Sequence, residues 1–472
     1  MQFDFVSVGG GLAGLVAALR ASQLGLQSAV IEAGLGDSYP CNSRLAGGVF
    51  HVSYQDVRAS PDKLTKEMLL AGASDSPQSR AIANNAARAL DWLRCNGAGF
   101  ANFPQLKRGA WVMVPPRPLV SGFKNGASWL GRGPDLTLRA LKKRLLELGG
   151  VFLQNSQGIE LLTNQGVCVG VRVQSDGKIL DIHTKSVALC DGGFSANSAL
   201  FKQYIGPQPS KVLQRGAATG RGDGLRMALQ AGAATSAMSR FYGHILSKDA
   251  FHNDDLTPYP QLDAIAAAGV VVNANGLRVL DEGLGGVYAA NHLATLEDAD
   301  EAVAIIDSTI WNGPGRGGLI APNPTLKDKG GTVHQAQTLT ELARLCHIPA
   351  DNLTKTIENY NQALSTNVLN TLKPSRTETR AKAYPIQNPP YMAIPICSGI
   401  TNTMGGLVID GHACVLTSEE KPIPGLYAAG ATTGGLEGGA TAHYVGGLIK
   451  ASVFALLAAE HSASFQNKTQ TA

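Results

Sequence analysis

The stretch Phe3–Gly14, FDFVSVGGGLAG, restricts what this chain can fold into more than any other. An apolar, β-prone run stops at glycines spaced as Gly9, Gly11 and Gly14. An Ala- and Leu-rich helical stretch, Leu15–Leu24, follows at once, then a second strand, Ser28–Ile31, ending at Glu32. Strand, glycine turn, helix, strand and acidic residue in this order are the context a dinucleotide-binding turn requires. Gly9 permits the sharp turn, and Gly14 lets the helix pack closely on the sheet. Gly11, Leu12 and Ala13 bring backbone amides to a pyrophosphate, whose charge the helix N-terminus stabilises. Glu32, followed by Ala33, is placed to accept hydrogen bonds from ribose hydroxyls. An adenine dinucleotide is the expected cofactor class.

Composition narrows the rest. Glycine accounts for 55 of 472 residues, against an average near 7%, which points to many tight turns and close backbone approaches. The length suggests two or three domain-sized units. The 40 basic and 36 acidic residues are dispersed and leave a net charge of +4, which argues against a nucleic-acid surface. Seven cysteines (41, 95, 168, 190, 346, 397, 414) show no zinc, haem or iron–sulfur spacing. They read as reduced thiols, so no metal site is expected. No export-type segment and no run of 18 uncharged apolar residues occurs. A cytoplasmic protein without a transmembrane helix is the expectation.

Three further glycine-bearing segments bear on which dinucleotide is bound. A polar loop, CNSRLAGGVF at 41–50, follows the second strand where a nicotinamide dehydrogenase continues with helix and strand. Ser186–Leu189 runs into CDGGFSAN, and GLYAA at 425–429 runs into Gly430. Together with GAATGRGDGLRMA, NTMGGLVID and HYVGGL, this series resembles the flavoprotein superfamily of fumarate reductases and succinate dehydrogenases over nearly the whole chain. Its motifs are most similar to those of tricarballylate dehydrogenase and 3-ketosteroid dehydrogenases. The resemblance implies a Rossmann-like α/β FAD-binding domain of the glutathione-reductase type, in two pieces, 1–235 and 399–472. An α+β substrate-capping domain at 236–398 would be inserted between them. It places FAD against Asn42, Ser43, Arg44, Leu45, Gly47 and Gly48, against Asp191, Gly192, Gly193, Asn197, Gly220 and Asp223, and against Gly430, Gly446, Leu448 and Ile449. The N-terminal glycines would hold the pyrophosphate and the C-terminal segment the flavin ring. The position of the histidine that links FAD covalently in membrane members falls near Cys41 or Asn42, so non-covalent FAD is expected; His51 reads as a loop histidine. One dinucleotide fingerprint gives no indication of a resident NAD(P)H. An external electron acceptor or electron-transfer protein is the implied partner.

The resemblance also implies hydride transfer between flavin N5 and a carbon near a carbonyl or carboxylate, with a second group moving a proton. Three positions depart from the succinate-type pattern. No arginine follows Glu282 within GLGGVY, Asn402 stands for a histidine, and Tyr444 stands for a carboxylate-binding arginine. Succinate and fumarate are therefore disfavoured as substrates. Tyr444 before a glycine pair is similar to the tyrosine that polarises the ketone in ketosteroid dehydrogenases. The catalytic candidates are Tyr444, Tyr288, His244, His443 and Tyr242, and the substrate-binding candidates are Asn402, Arg316 and Gly447. The expected activity is an FAD-dependent dehydrogenation that introduces a C=C bond α,β to a ketone or carboxylate. A cyclic keto compound, such as an oxocyclohexanecarboxylate or a 3-ketosteroid, is favoured, with a tyrosine accepting the proton. A tricarballylate-type carboxylate dehydrogenase, a reductase running the reaction backwards, and a non-catalytic FAD-binding subunit are the alternatives. The polar tail after Ser462 is expected to be disordered.

Overall fold

The computed structural model describes residues 1–103, 110–118 and 128–470, without the side chains of 468–470. Phe5–Val8 is buried on both faces, as four residues without polar alternation predict for the interior of a parallel sheet. It lies in a six-stranded sheet ordered 414–416, 422–428, 187–189, 5–8, 28–31, 151–153, parallel except for the 414–416 edge. This order places the C-terminal strand Pro422–Ala428 one strand from Phe5–Val8. The glycine turn after Ala428 and the one after Val8 therefore open at the same edge of the sheet. Helices Leu12–Gln23 and Gly447–Gln470 pack against each other on this sheet. The expected α/β Rossmann-like architecture is present.

Strand Tyr391–Thr403 organises a second sheet with Val212–Gln214, Phe241–Ser247, Val303–Ile306, Val270–Val272 and His334–Ala336. It crosses the 398/399 boundary expected from the sequence and carries cap residues into the cofactor domain. Helices Leu339–Leu345 and Ala350–Ser365 pack against each other beside this sheet. Asn275-Gly276 forms a tight turn closed by the single bridge Val272–Arg278.

One expectation is corrected. The tail after Ser462 continues helix Gly447–Gln470, because Ser462 and Gln466 are buried against the domain and hydrogen-bonded to Ser186 and Asp4. Within that helix, Gly447–Asn467 is long and apolar enough to cross a membrane by composition. Lys450 and Glu460 interrupt its apolar run and hid it from the sequence reading. In the fold 67% of its most apolar window is buried, against Leu12–Gln23 and Pro77–Cys95 among others.

Candidate active site

The glycines of the first turn meet close neighbours. Gly9 adopts φ +105°, a conformation other residues strain to reach. A Cβ on Gly14 would sit 1.8 Å from the Gly9 carbonyl oxygen, so the helix approaches its own turn as closely as backbone allows. Glu32 accepts the Gly10 amide at 2.7 Å and the Gly34 amide at 2.6 Å. The Ser43 hydroxyl accepts the Leu12 amide at the helix start. Gly14→Ala is expected to cost about 1–3 kcal/mol through overpacking and to lower bound FAD, read by thermal melting and the flavin-to-protein absorbance ratio.

These residues form one end of a continuous cavity of about 820 Å³, within the range of small-molecule sites (~300–1,000 Å³). Gly9, Gly11, Leu12, Ala13, Glu32, Ala33, Asn42, Ser43, Leu45, Gly47 and Gly48 line it, as do Asp191, Gly192, Gly220, Asp223, Gly430 and Leu448. Asn42 ties its walls together, donating to the Thr401 carbonyl and accepting the Ala217 amide. An elongated, glycine-walled cleft with helix amides at one end and aromatics at the other fits FAD. Other expected cofactor residues lie behind the wall. Gly14 packs helix on turn, Gly193 abuts Thr403 and Ala431, and Asn197 caps helix Ser198–Tyr204. Gly446 and Ile449 anchor the last helix. Arg44 is corrected from a cofactor contact to a structural one: it is buried, ion-paired with Asp135 and stacked 4.5 Å from the Tyr39 ring centroid.

The far end of the cavity holds Tyr242, His244, Asn402, Tyr444 and Gly447 from the expected set. Tyr242 and His244 are two apart on strand Phe241–Ser247 and face the same side. His244 Nδ1 lies 2.5 Å from Asp263 Oδ2, and its Nε2 lies 3.0 Å from the Tyr242 hydroxyl. Asp263 Oδ1 also accepts the Ile245 amide. With the carboxylate accepting the Nδ1 proton, Nε2 is left to accept the phenol proton. Burial pushes His244 below its ordinary value, although Asp263 pulls the other way. The Tyr242 ring stacks on Tyr444 at 3.8 Å and 13°. Burial raises both phenols. Tyr444 Oη accepts the Gly447 amide at 2.7 Å, at the start of the last helix, which leaves its own hydrogen free to donate.

Three candidates are not brought to this site. His443 has both ring nitrogens on carbonyls, Gly438 at 2.8 Å and Leu436 at 2.7 Å, and holds the loop that precedes the helix. Tyr288 lies on helix Gly286–Leu293 against His292, off the cavity wall. Arg316 is exposed in a surface turn with Asn312. The arginine expected four residues beyond Glu282 is Gly286, and a Cβ there would lie 2.1 Å from Asp263 Cγ. The space of that missing side chain is used by the carboxylate that orients His244.

The sequence reading missed several wall residues: His51, Tyr54, Arg117, Arg215 and Tyr259 line the cavity, and Asp263 supports it. His51 stacks on Tyr54 at 4.8 Å and lies edge-on to Tyr444. Burial lowers it to about 4, so it stays neutral near pH 7. Arg215 adjoins GAATGRGDG, and Tyr259 lies between two prolines; neither has a local pattern that names a role.

Residues 4–443 match the FAD-binding domain family. The chain is 26% identical to a vinyl phenol reductase of Lactiplantibacillus plantarum, over 93% of this chain and 91% of that protein. It is 26% identical to an NADH:fumarate oxidoreductase of Klebsiella pneumoniae, over 93% of this chain but 45% of that longer protein. Among solved structures it is similar to the 3-ketosteroid-Δ4-(5α)-dehydrogenase of Rhodococcus jostii RHA1, with a TM-score of 0.71 and 20% identity, covering 98% and 97% of the two chains. The chain belongs to the FAD-binding flavoprotein superfamily of the fumarate reductases, and its relatives there are flavin oxidoreductases.

Proposed function

We propose that this enzyme interconverts a C–C single bond and a C=C bond conjugated to a carbonyl, with Tyr242 carrying the proton. The chain Asp263–His244–Tyr242, ending in the cavity against Tyr444, supports this reading above any other observation. FAD, held without a covalent link by the first glycine turn and the 42–48 loop, would supply the hydride acceptor or donor. Tyr444, pinned by the Gly447 amide, donates its hydrogen bond to the substrate carbonyl and so acidifies the adjacent C–H. In dehydrogenation, Tyr242 passes its proton to His244 Nε2 and takes the substrate proton. Asp263 stabilises the imidazolium that results. In reduction the same proton travels back. Tyr54, Tyr242, Tyr259 and Tyr444 give the substrate end an aromatic lining suited to a flat or cyclic compound.

Dehydrogenation of a cyclic keto compound is the direction proposed. Reduction is the second reading, favoured by the reductase names of the relatives. Anaerobic bleaching of the bound flavin by 4-oxocyclohexanecarboxylate or a 3-ketosteroid, but not by succinate, is the expected result. Bleaching by succinate alone would overturn it. Reoxidation of prereduced flavin by an enone or a vinyl phenol, with no bleaching by saturated compounds, would select the reductase. Tyr444→Phe is expected to slow the active direction about 10²- to 10³-fold with unchanged FAD content.

A further inference from the structure

Arg215 is 6% exposed, lines the substrate end of the cavity and has no carboxylate within ion-pair reach among the described residues. Its Nη1 donates to Thr401 Oγ1 at 2.7 Å, and its Nε has no partner. A buried guanidinium without a directly paired carboxylate is costly. The backbone of Arg215 bonds to the Ile400 carbonyl at the edge of strand Tyr391–Thr403. Its side chain then lies across Gly399, where a Cβ would sit 2.5 Å from Arg215 Cδ. The register partner of Gly399 on the next strand is His244. The absence of a side chain at 399 therefore carries the positive charge over the strand toward His244 and Tyr242. The acid on that side, Asp263, has both oxygens occupied by His244 and the Ile245 amide. Arg117, also 6% exposed, lines the same cavity and holds the Leu45 carbonyl with Nη1.

We propose that Arg215, flanked by Arg117, is a carboxylate-binding wall of the substrate end, so that the substrate carries a carboxylate rather than being a neutral ketone. The planar guanidinium offers the paired donors a carboxylate accepts, and its charge is neutralised only when substrate is bound. This deepens the proposed function, resting on its placement of the substrate beside Tyr242, and selects oxo- or enoic acids over neutral ketosteroids. It also reassigns the carboxylate-binding role from the exposed Arg316 to the residue that follows strand Val212–Gln214 beside the site.

The test uses the FAD-loaded protein and two ligand pairs: 4-oxocyclohexanecarboxylate against cyclohexanone, and cinnamate against cinnamide. Binding is read by perturbation of the flavin absorbance and by thermal shift. The wild type is expected to bind at least one carboxylate well above its neutral counterpart. Arg215→Gln is expected to weaken that carboxylate on the order of 100-fold while leaving the neutral compound unchanged, and Arg215→Lys to recover part of the loss. Gly399→Ala, which displaces the side chain without removing its charge, is expected to reduce the same discrimination. Ligand-free Arg215→Gln is expected to melt no lower than wild type. Absence of any carboxylate preference in the wild type overturns the proposal. So does equal weakening of charged and neutral ligands, or loss of FAD from Arg215→Gln with discrimination intact, which would give the charge to the cofactor. Flavin bleaching by a neutral ketone without anion preference sinks this proposal and leaves the proposed reaction standing; anion preference without redox turnover does the reverse.

Discussion

Tyr242→Phe is expected to lower the rate of flavin reduction by substrate by about 10²- to 10⁴-fold, the usual contribution of a positioned acid–base group, with FAD content and ligand binding unchanged. Among the described residues, the Tyr242 phenol is the cavity hydroxyl bonded to a histidine that is itself held by a carboxylate. Phenylalanine keeps the stack on Tyr444 and removes only the oxygen. The pH dependence separates this role from packing. His244 is held below its ordinary value by burial and is neutral near pH 7, so it can receive the phenol proton there. In the dehydrogenation direction the wild-type rate should fall as pH drops through the depressed His244 value, because the protonated ring can no longer accept. Tyr242→Phe should lose that limb along with the rate. Asp263→Asn should keep the fold yet shift the limb, since the amide no longer fixes the Nδ1–H tautomer or stabilises the imidazolium. Rapid-mixing absorbance near the flavin band across pH 5–9 measures both. A Tyr242→Phe enzyme within about threefold of wild type would remove Tyr242 from the proton path.

The cofactor end was legible because its chemistry is local. Gly9, Gly11, Gly14 and Glu32 fall within one strand–turn–helix–strand unit, and their spacing carries the backbone geometry with it. The same holds for Asn42, Ser43, Gly47 and Gly48, which share one loop. The substrate end is assembled by register instead. His244 faces Gly399 across a ladder, Arg215 reaches over that glycine from the end of strand Val212–Gln214, and Asp263 occupies the volume vacated at Gly286. No short motif encodes those three contacts. Tyr288 and His443 misled for the same reason: adjacency in sequence to a glycine pair or a missing arginine does not fix the direction of a side chain. His443 precedes Tyr444 directly, yet its ring turns to the Leu436 and Gly438 carbonyls while the tyrosine enters the cavity. Absence of the family's arginines was read correctly from the sequence, but absence of positive charge did not follow, because Arg117 and Arg215 arrive from elsewhere in the chain.

The largest stability effect is expected at Glu437→Gln, about 3–5 kcal/mol, the range for breaking a buried ion pair by removing one partner. Glu437 Oε2 lies 2.6 Å from Lys450 Nζ, and both side chains are at most 1% exposed. Glu437 Oε1 accepts the Val445 and Gly446 amides at 2.9 and 3.2 Å. One carboxylate thus fixes the turn that presents Tyr444 and starts the helix at Gly447. Burial alone would push this carboxyl up, but Lys450 and the two amides outweigh it and hold it below its ordinary value. A carboxyl with a depressed folded-state pKa contributes its stability above the unfolded value near 4.5 and loses it as pH falls further. The wild-type melting temperature should therefore drop on acidification below that value, and Glu437→Gln should flatten this part of the profile. In the single variant Lys450 is left as a buried, unpaired ammonium beside the cavity. The double variant Glu437→Gln/Lys450→Met removes that charge and should recover a substantial part of the loss, because the desolvation penalty disappears with the ion. FAD retention should follow the same order, wild type above double above single, since the disturbed turn carries the Gly447 helix start at the cavity. A single variant as stable as the double would mean that Glu437 acts through its two backbone bonds alone and that the ion pair contributes nothing to holding the helix.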